Sequence, residues 1–183
     1  MSQTIERRSA AATDFGLQPF LDSRHSEPRW LSALRREAAA RFEEMGLPGL
    51  HDEDWRQTPI GAIARTTFRR PAEDAPVPRE ALAPLTFGHA FDGHTIVLVN
   101  GHYAPTLSSL GAADGVRVES VARLLDREPA LVERHFGRIL RGGNAFAALN
   151  TALFEDGAVV VVPAGVALAA PIHVVHYSIA SDG

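Results

Sequence analysis

Histidines are the residues in this chain whose type and spacing could support metal chemistry. Three of the eight, His89, His94 and His102, flank a β-branched run, and such spacing can serve a zinc or iron site. Asp92 is the one carboxylate at matching spacing. Because so few other ligands lie nearby, we expect surface histidines here and assign no metal to them.

Two further groups carry the same residue types. His173 and His176 form an HxxH pattern, but side chains three apart on a strand point to opposite faces and cannot share one ion without a bulge. His51 precedes the acidic run 52–54, where consecutive residues rarely converge on one cation and oxygen ligands are too few. We expect these acids to cap a turn or pair with arginines, and Trp55 to pack.

Each common type of catalytic site requires a residue or motif that this chain lacks. All 18 basic residues are arginine, which excludes a P-loop lysine and Schiff-base chemistry, and the absence of cysteine excludes thiol nucleophiles and thiolate metal sites. Ser108-Ser109 lacks the glycines of a nucleophile elbow, and Gly142-Gly143 is an isolated break. We therefore expect no enzyme activity and assign no catalytic, cofactor-binding or metal-binding residue.

Composition limits the partners and the compartment. The chain has 183 residues, 45% hydrophobic and 22% charged, which is ordinary for a folded soluble protein. A net charge of −4 argues against nucleic-acid binding, which needs a clustered basic surface. The longest apolar stretch, around 158–162, is too short to cross a bilayer, and the first residues lack a signal-peptide core. We expect a cytoplasmic protein without nucleic-acid or membrane partners.

Helices are expected before residue 46 and again after Asn144, in addition to the short helices named below. After a short helix before Arg24, a long helix is predicted over 27–45, with Ser26 as N-cap, Pro28 in the first turn and Gly46 at the end. Its expected apolar stripe comprises Trp30, Leu34, Ala38, Phe42 and Met45. In a later helix, which Asn144 can cap, Phe146, Leu149 and Leu153 should lie on one face.

Strands and short helices fill the remainder. A proline-rich irregular linker over 69–84 should precede a hairpin whose first strand, 95–99, turns at Asn100-Gly101 into 102–104. A short strand at 116–118 and two helices, opened by Ser120 and Pro129, follow. The remaining strands are expected at 158–162, 166–170 and 172–180.

The closing strands carry tight Gly and Pro turns, which suit a solenoid or sandwich of stacked rungs. Their last strand should leave an apolar edge exposed near 172–180, because two apolar strands cannot bury both faces. The expected organisation is α+β in three parts: a helical domain with its linker (1–84), a hairpin with short helices (85–156) and the start of a strand stack (157–183).

Three passages, taken in order, carry a family resemblance. They are Gly46–Pro48 with Asp52–Pro59, then Val97–Gly101 with Leu107-Ser108, and finally Ala145–Leu153 continuing through Asp156-Gly157 to Val161–Pro163, Gly165-Val166 and Pro171–His173. Their order and spacing resemble the N-terminal half of the SufD family, a component of the SUF iron–sulfur cluster assembly system. The third passage is shared in outline with the sister SufB family, and the first two favour SufD.

The resemblance implies a helical N-terminal domain leading into a right-handed parallel β-helix. It implies SufB-like and SufC-like partners and a non-catalytic scaffold role, with clusters handled by the whole complex and no cofactor on this chain. Members of the family run further than Gly183, so we expect an N-terminal fragment whose reading frame continues into more rungs and the partner-binding regions.

Two other functions remain open from the residues alone. One is a small-molecule or metal-binding enzyme on a cupin-like barrel, with histidines converging inside. Val159, Val161 and Ile172 stacked in parallel rungs would argue against that barrel. The other is a plain interaction module that dimerises by pairing its open strand edge.

Overall fold

A computed structural model describes residues 15–24, 26–68, 76–89, 93–110, 115–139 and 143–179 of the chain. The α-helices in these ranges are α1 (Leu17–Asp22), α2 (Arg29–Met45), α3 (Arg79–Leu82), α4 (Val121–Arg127), α5 (Pro129–His135) and α6 (Ala145–Leu153). The strands are β1 (His94–Val99), β2 (His102–Tyr103), β3 (Arg117–Ser120), β4 (Ala158–Val161) and β5 (Ile172–Tyr177). The predicted α+β class is confirmed.

These elements belong to two compact units, each drawn from two stretches of the chain. Unit 1 combines Met1–Arg69 with Leu140–Leu153, and unit 2 combines Arg70–Ile139 with Phe154–Gly183. Unit 1 therefore contains α1, α2 and α6, while the strands and α3, α4 and α5 belong to unit 2. The sequence-based division at residues 84 and 156 stays a prediction.

The start of the long helix differs from the prediction, whereas its end agrees. The helix begins at Arg29, Pro28 precedes it with extended backbone, and no side chain caps it, so the Ser26 cap is wrong. Glu27 instead reaches forward, accepting hydrogen bonds from the side chains of Ser32 and Arg35. At the other end Gly46 has φ of +65° and donates its N–H to the Phe42 carbonyl, the glycine termination that was expected.

The buried face of α2 is rotated from the predicted stripe. Its buried residues are Leu31, Arg35, Ala38, Ala39 and Phe42, whereas Met45 is exposed. The rotated face includes Arg35, which is 2% exposed. Its Nε atom lies 2.9 Å from Glu27 Oε2, and its Nη1 atom donates to the Ala152 carbonyl at 3.0 Å. A charge that is paired and hydrogen-bonded can occupy a core position that composition alone would give to an apolar residue.

Helix α6 buries its alanines rather than its large side chains. Ala145, Ala148 and Ala152 are buried against α2, whereas the predicted apolar line of Phe146, Leu149 and Leu153 is partly buried, with Leu149 packed against the cluster around Phe42. Alanine has no side chain beyond Cβ, and two helices can therefore approach closely along an alanine face. The Asn144 cap is confirmed, because its Oδ1 atom accepts the Ala147 N–H at 3.0 Å.

Unit 2 is built around β1, the central strand of the sheet β2-β1-β5. The hairpin prediction is confirmed: β1 and β2 are antiparallel, and Asn100 and Gly101 both have positive φ, as this two-residue turn requires. Where β2 ends, the Ser108 hydroxyl accepts the Val97 N–H, and Ser109 pairs with Thr95. The serine pair thus completes the hydrogen bonding of β1.

The other edge of β1 pairs with β5 in parallel, from His94 opposite Ile172 to Val99 opposite Tyr177. One face of this pair forms a core cluster of Val97, Val99, Val175 and Leu82. Leu82 comes from α3, which lies inside the segment that we expected to be irregular. Part of the predicted linker is therefore a helix, because Leu82 gains burial there.

The second sheet pairs β3 with β4 in antiparallel register. Ser120 caps α4 and Pro129 opens α5, as predicted. The strand predicted over 166–170 is wrong: Val166 donates its N–H to the Pro163 carbonyl in a turn, and the alanine-rich residues after it, half of them exposed, form no ladder. Because β4 and β5 belong to different sheets, Val159 and Val161 do not stack with Ile172 as successive rungs.

Candidate functional site

The structure separates the histidines that could have shared a metal. His94 is the first residue of β1, and His102 pairs with Val99, the last residue of that strand. Five residues of strand separate the two positions by about 16 Å, since a strand advances about 3.3 Å per residue. His94 is 4% exposed, and its Nδ1 atom has no hydrogen-bond partner. The side chain of His89 and all of Asp92 lie outside the described residues.

The other two candidate groups are also spread apart or used locally. His173 and His176 pair with Thr95 and Leu98 of β1, which places them on opposite faces of the sheet. In the acidic run, Asp52 accepts the Gly49 N–H at 2.6 Å and Glu53 lies 3.6 Å from Arg56. Within the described ranges, no three histidine or acidic side chains group where they could hold a metal ion.

The expected packing of the aromatic residue next to that run is confirmed. The Trp55 and Phe146 rings lie 5.2 Å apart between centroids, at an interplanar angle of 45°. Trp55 ends a short 3-10 helix, Glu53–Trp55, and Phe146 lies in the first turn of α6. The contact joins the two chain stretches of unit 1.

One carboxylate organises the polar centre of unit 2. Asp156 Oδ2 accepts the Tyr103 N–H at 3.0 Å. Asp156 Oδ1 accepts the Ser120 hydroxyl at 2.7 Å and the Ala122 N–H at 3.0 Å. The same Ser120 oxygen accepts the Arg123 N–H at 3.1 Å, so the carboxylate holds β2, the end of β3 and the start of α4 together. With three donors on its oxygens, this side chain joins segments that lie far apart in the sequence.

A second polar contact lies next to this carboxylate. His102 Nε2 and Glu155 Oε2 are 3.8 Å apart, and about a fifth of each side chain is exposed. The pair is an ion pair only when the imidazole is protonated. Two ligands do not make a metal site, so the contact adds a local link between β2 and the segment after α6.

An exposed ion-pair network covers the β3 side of the second sheet. Arg117 bonds both carboxylate oxygens of Glu128 at 2.8 and 3.4 Å and lies 3.1 Å from Glu119, which in turn faces Arg127 at 3.6 Å. The hydrogen bond raises the pKa of the Arg117 guanidinium and lowers the pKa of the Glu128 carboxyl. The network fixes the start of β3 against the loop between α4 and α5.

The outer edge of β5 is the strongest candidate for an interaction surface. Within the described residues β5 ends its sheet, Val174 is 46% exposed, and the strand has no Asp, Glu, Arg or Lys. Edge strands usually carry charges or bulges that prevent pairing with other chains, and parallel sheets are normally covered on both faces. The predicted exposed apolar edge is therefore present over β5.

Sequence reasoning missed two of the polar residues that organise these units. Asp156 was noted only as part of a motif, and its partners lie 34 to 53 positions away, beyond any local pattern. Arg35 left a detectable signal, because Leu31, Arg35, Ala38 and Phe42 recur at helical spacing and place an arginine on the buried line.

Comparison with known proteins identifies the family of this chain. Residues 20–174 match the family described as the SufBD protein N-terminal region. An iron–sulfur cluster assembly SufBD family protein of Synechocystis is 26% identical over 148 residues, which cover 79% of this chain and 32% of that relative. A second protein of that description, from the same organism, is 43% identical over 56 residues, or 30% of this chain and 12% of the relative.

The chain thus spans about a third of the length of the first of these relatives. Among the helices of the described ranges, none has the length and apolar character needed to span a bilayer. The family match covers most of the chain, from α1 into β5. The chain belongs to the SufBD family, and residues 20–174 are its N-terminal region.

Proposed function

We propose that this chain is the N-terminal segment of a SufD-type scaffold in a cytoplasmic complex with SufB-like and SufC-like proteins that assembles iron–sulfur clusters. The observation that carries the proposal is the family match over residues 20–174, together with relatives described as iron–sulfur cluster assembly proteins. In this role the chain is not an enzyme, and the cluster is cargo of the complex.

The use of the polar side chains supports a scaffold. The side chains of Asp156 and Arg35 each form hydrogen bonds that join distant parts of one unit. A cupin-like enzyme would bring His94 and His102 together, but His94 begins β1 and His102, on β2, pairs with the last residue of β1. Two passages favour SufD over SufB. The first contains the helix end at Gly46 and the Trp55 ring contact, and the second contains the Asn100-Gly101 hairpin and Ser108.

The β5 edge supports a strand stack that continues beyond this chain. We propose that β1 and β5 form the first parallel pair of a right-handed β-helix, and that later strands of the full-length protein cover the exposed edge. The parallel register and the uncharged edge both favour such a continuation. The proposed partner-binding regions then lie in those later parts of the protein.

The test uses the full-length protein in its own host. A tagged copy should co-purify SufB-like and SufC-like proteins, and deleting codons 20–174 should reduce the activity of [4Fe–4S] dehydratases. Flavin-dependent enzymes in the same extracts serve as the control and should be unaffected. Normal dehydratase activity in the deletion strain, or purification of the tagged protein without either partner, would refute the proposal.

The exposed β5 edge also favours a second candidate, an interaction module that dimerises by strand pairing. Light scattering of the purified chain separates the two. A monomer supports the scaffold segment, whereas a dimer that a charged substitution such as Val174→Lys dissociates supports the module.

A further inference from the structure

The Asn100-Gly101 turn contacts more than the hairpin that it closes. Asn100 donates its backbone N–H to the Tyr177 carbonyl at 2.8 Å, and its side-chain Oδ1 accepts the Ile179 N–H at 2.9 Å. Tyr177 is the last residue of β5, and Ile179 packs against the core cluster of unit 2 beyond the strand end. One turn residue therefore holds both the end of β5 and the chain that leaves it.

Only a narrow set of residues can make these contacts. Asn100 has φ of +50°, a backbone conformation that disfavours most side chains. Glycine accepts that conformation but has no side-chain oxygen to receive the Ile179 N–H. Asparagine and aspartate combine tolerance of positive φ with a short hydrogen-bond acceptor. The positive φ of the turn and the side-chain hydrogen bond thus both favour asparagine or aspartate at position 100.

Burial already sets part of the register between β1 and β5. A one-residue slip would exchange the two faces of β5, and a two-residue slip would place His173 or Tyr177 opposite Val97, where Val175 now lies in the core cluster. Beyond Val175 the strand is only partly buried, so burial holds its last residues less firmly. The bond between Asn100 and Ile179 forms in one register only, because it joins a fixed turn to a single amide.

We propose that Asn100 is a positioning residue that locks the register of β5 against β1 and directs the chain leaving β5. The link to assembly rests on the proposed function, in which later strands of the full-length protein pair with β5. Loss of the lock loosens residues 177–179 and weakens assembly, while the helical unit 1 stays intact.

The experiment measures amide hydrogen exchange by NMR on the purified chain and three variants. Asn100→Gly keeps the positive φ and removes the acceptor, whereas Asn100→Asp keeps the acceptor. Asn144→Gly is the matched control, because it removes an equivalent side-chain bond from the α6 cap in unit 1. The exchange rate of Ile179 is taken relative to the β3–β4 amides, so that any change in global stability of unit 2 cancels.

Asn100→Gly should raise the relative exchange rate of Ile179 about threefold to tenfold, the range for loss of one hydrogen bond. Asn100→Asp and Asn144→Gly should leave that rate within about twofold of the wild type, less than loss of a bond would cause. An unchanged rate in Asn100→Gly, or an equal rise in Asn100→Asp, would overturn the lock.

A second readout connects the lock to assembly. In the tagged full-length protein, Asn100→Gly should reduce recovery of the SufB-like and SufC-like partners, while Asn144→Gly should not. If the wild type recovers no partner, the proposed function fails, but the exchange result still decides the lock. If partner recovery is normal in Asn100→Gly despite faster exchange at Ile179, the role of the lock in assembly is refuted.

Discussion

Replacement of Asp156 tests the polar centre of unit 2 most directly. Asp156→Ala removes both carboxylate oxygens, leaving the Tyr103 and Ala122 N–H groups and the Ser120 hydroxyl without their acceptor. Asp156→Asn keeps the size of the side chain and one oxygen, but it turns an amide NH₂ toward one of these donors. The two variants separate the loss of acceptors from the loss of shape.

The expected magnitude follows from the three bonds. A hydrogen bond to a charged group contributes about 1.5–3 kcal/mol, and unpaired buried donors carry their own cost. Asp156 is partly buried, so water can replace some of the lost bonding, and the three bonds share one carboxylate and are not additive. We therefore expect Asp156→Ala to lower the free energy of unfolding of unit 2 by about 3–5 kcal/mol, and Asp156→Asn by about 1–3 kcal/mol.

The assay uses the distribution of tryptophans. Trp30 and Trp55 both belong to unit 1, so their fluorescence during urea unfolding reports that unit, whereas exchange of the β1 and β3 amides reports unit 2. Asp126→Asn, at an exposed position on α4, is the control and should change the free energy of unfolding by no more than about 0.5 kcal/mol. An Asp156→Ala variant as stable as this control would refute the structural role of the carboxylate.

Three further changes address other contacts. Arg35→Met removes the guanidinium partner of the largely buried Glu27, leaving only the Ser32 hydroxyl on that carboxylate, and should destabilise unit 1 by about 3–5 kcal/mol in urea unfolding followed by tryptophan fluorescence. Ala152→Leu overfills the contact between α2 and α6 and should cost about 1–3 kcal/mol in the same assay. The pKa of Glu128 lies below its ordinary value of 4.5, so its contribution to stability is present above that value and is lost as the pH falls through the lowered pKa. Arg117→Gln should raise the Glu128 pKa toward 4.5, as measured by NMR titration of the carboxyl carbon.

Each of these three predictions has a control variant or an outcome that would contradict it. Adding Glu27→Gln to Arg35→Met should recover part of the lost stability, because the unpaired charge is removed, and no recovery would contradict the burial argument. Ala40→Leu adds the same side chain at an exposed position of α2 and should change stability by no more than about 0.5 kcal/mol. An unchanged Glu128 pKa in Arg117→Gln would show that the hydrogen bond is not its cause.

Features governed by neighbours in the chain could be predicted from the sequence. The Gly46 helix end, the Asn100-Gly101 hairpin and the Ser120 and Asn144 caps all follow from backbone preferences and side-chain bonds within four residues. The Ser26 cap failed although it used the same rules, because Pro28 keeps extended backbone and Glu27 bonds to Arg35.

The amino-acid sequence by itself thus determined the α+β class, most element ends and, through the order of three passages, the family. Tertiary structure alone decided that α6 buries alanines, that β4 pairs with β3 while β5 pairs with β1, and that Arg35 and Asp156 join distant segments. The reason is the separation of the partners: Arg35 meets Ala152 across 117 positions, and Asp156 meets Tyr103 across 53. Local propensity carries no information about which of many apolar or polar surfaces will meet at such distances.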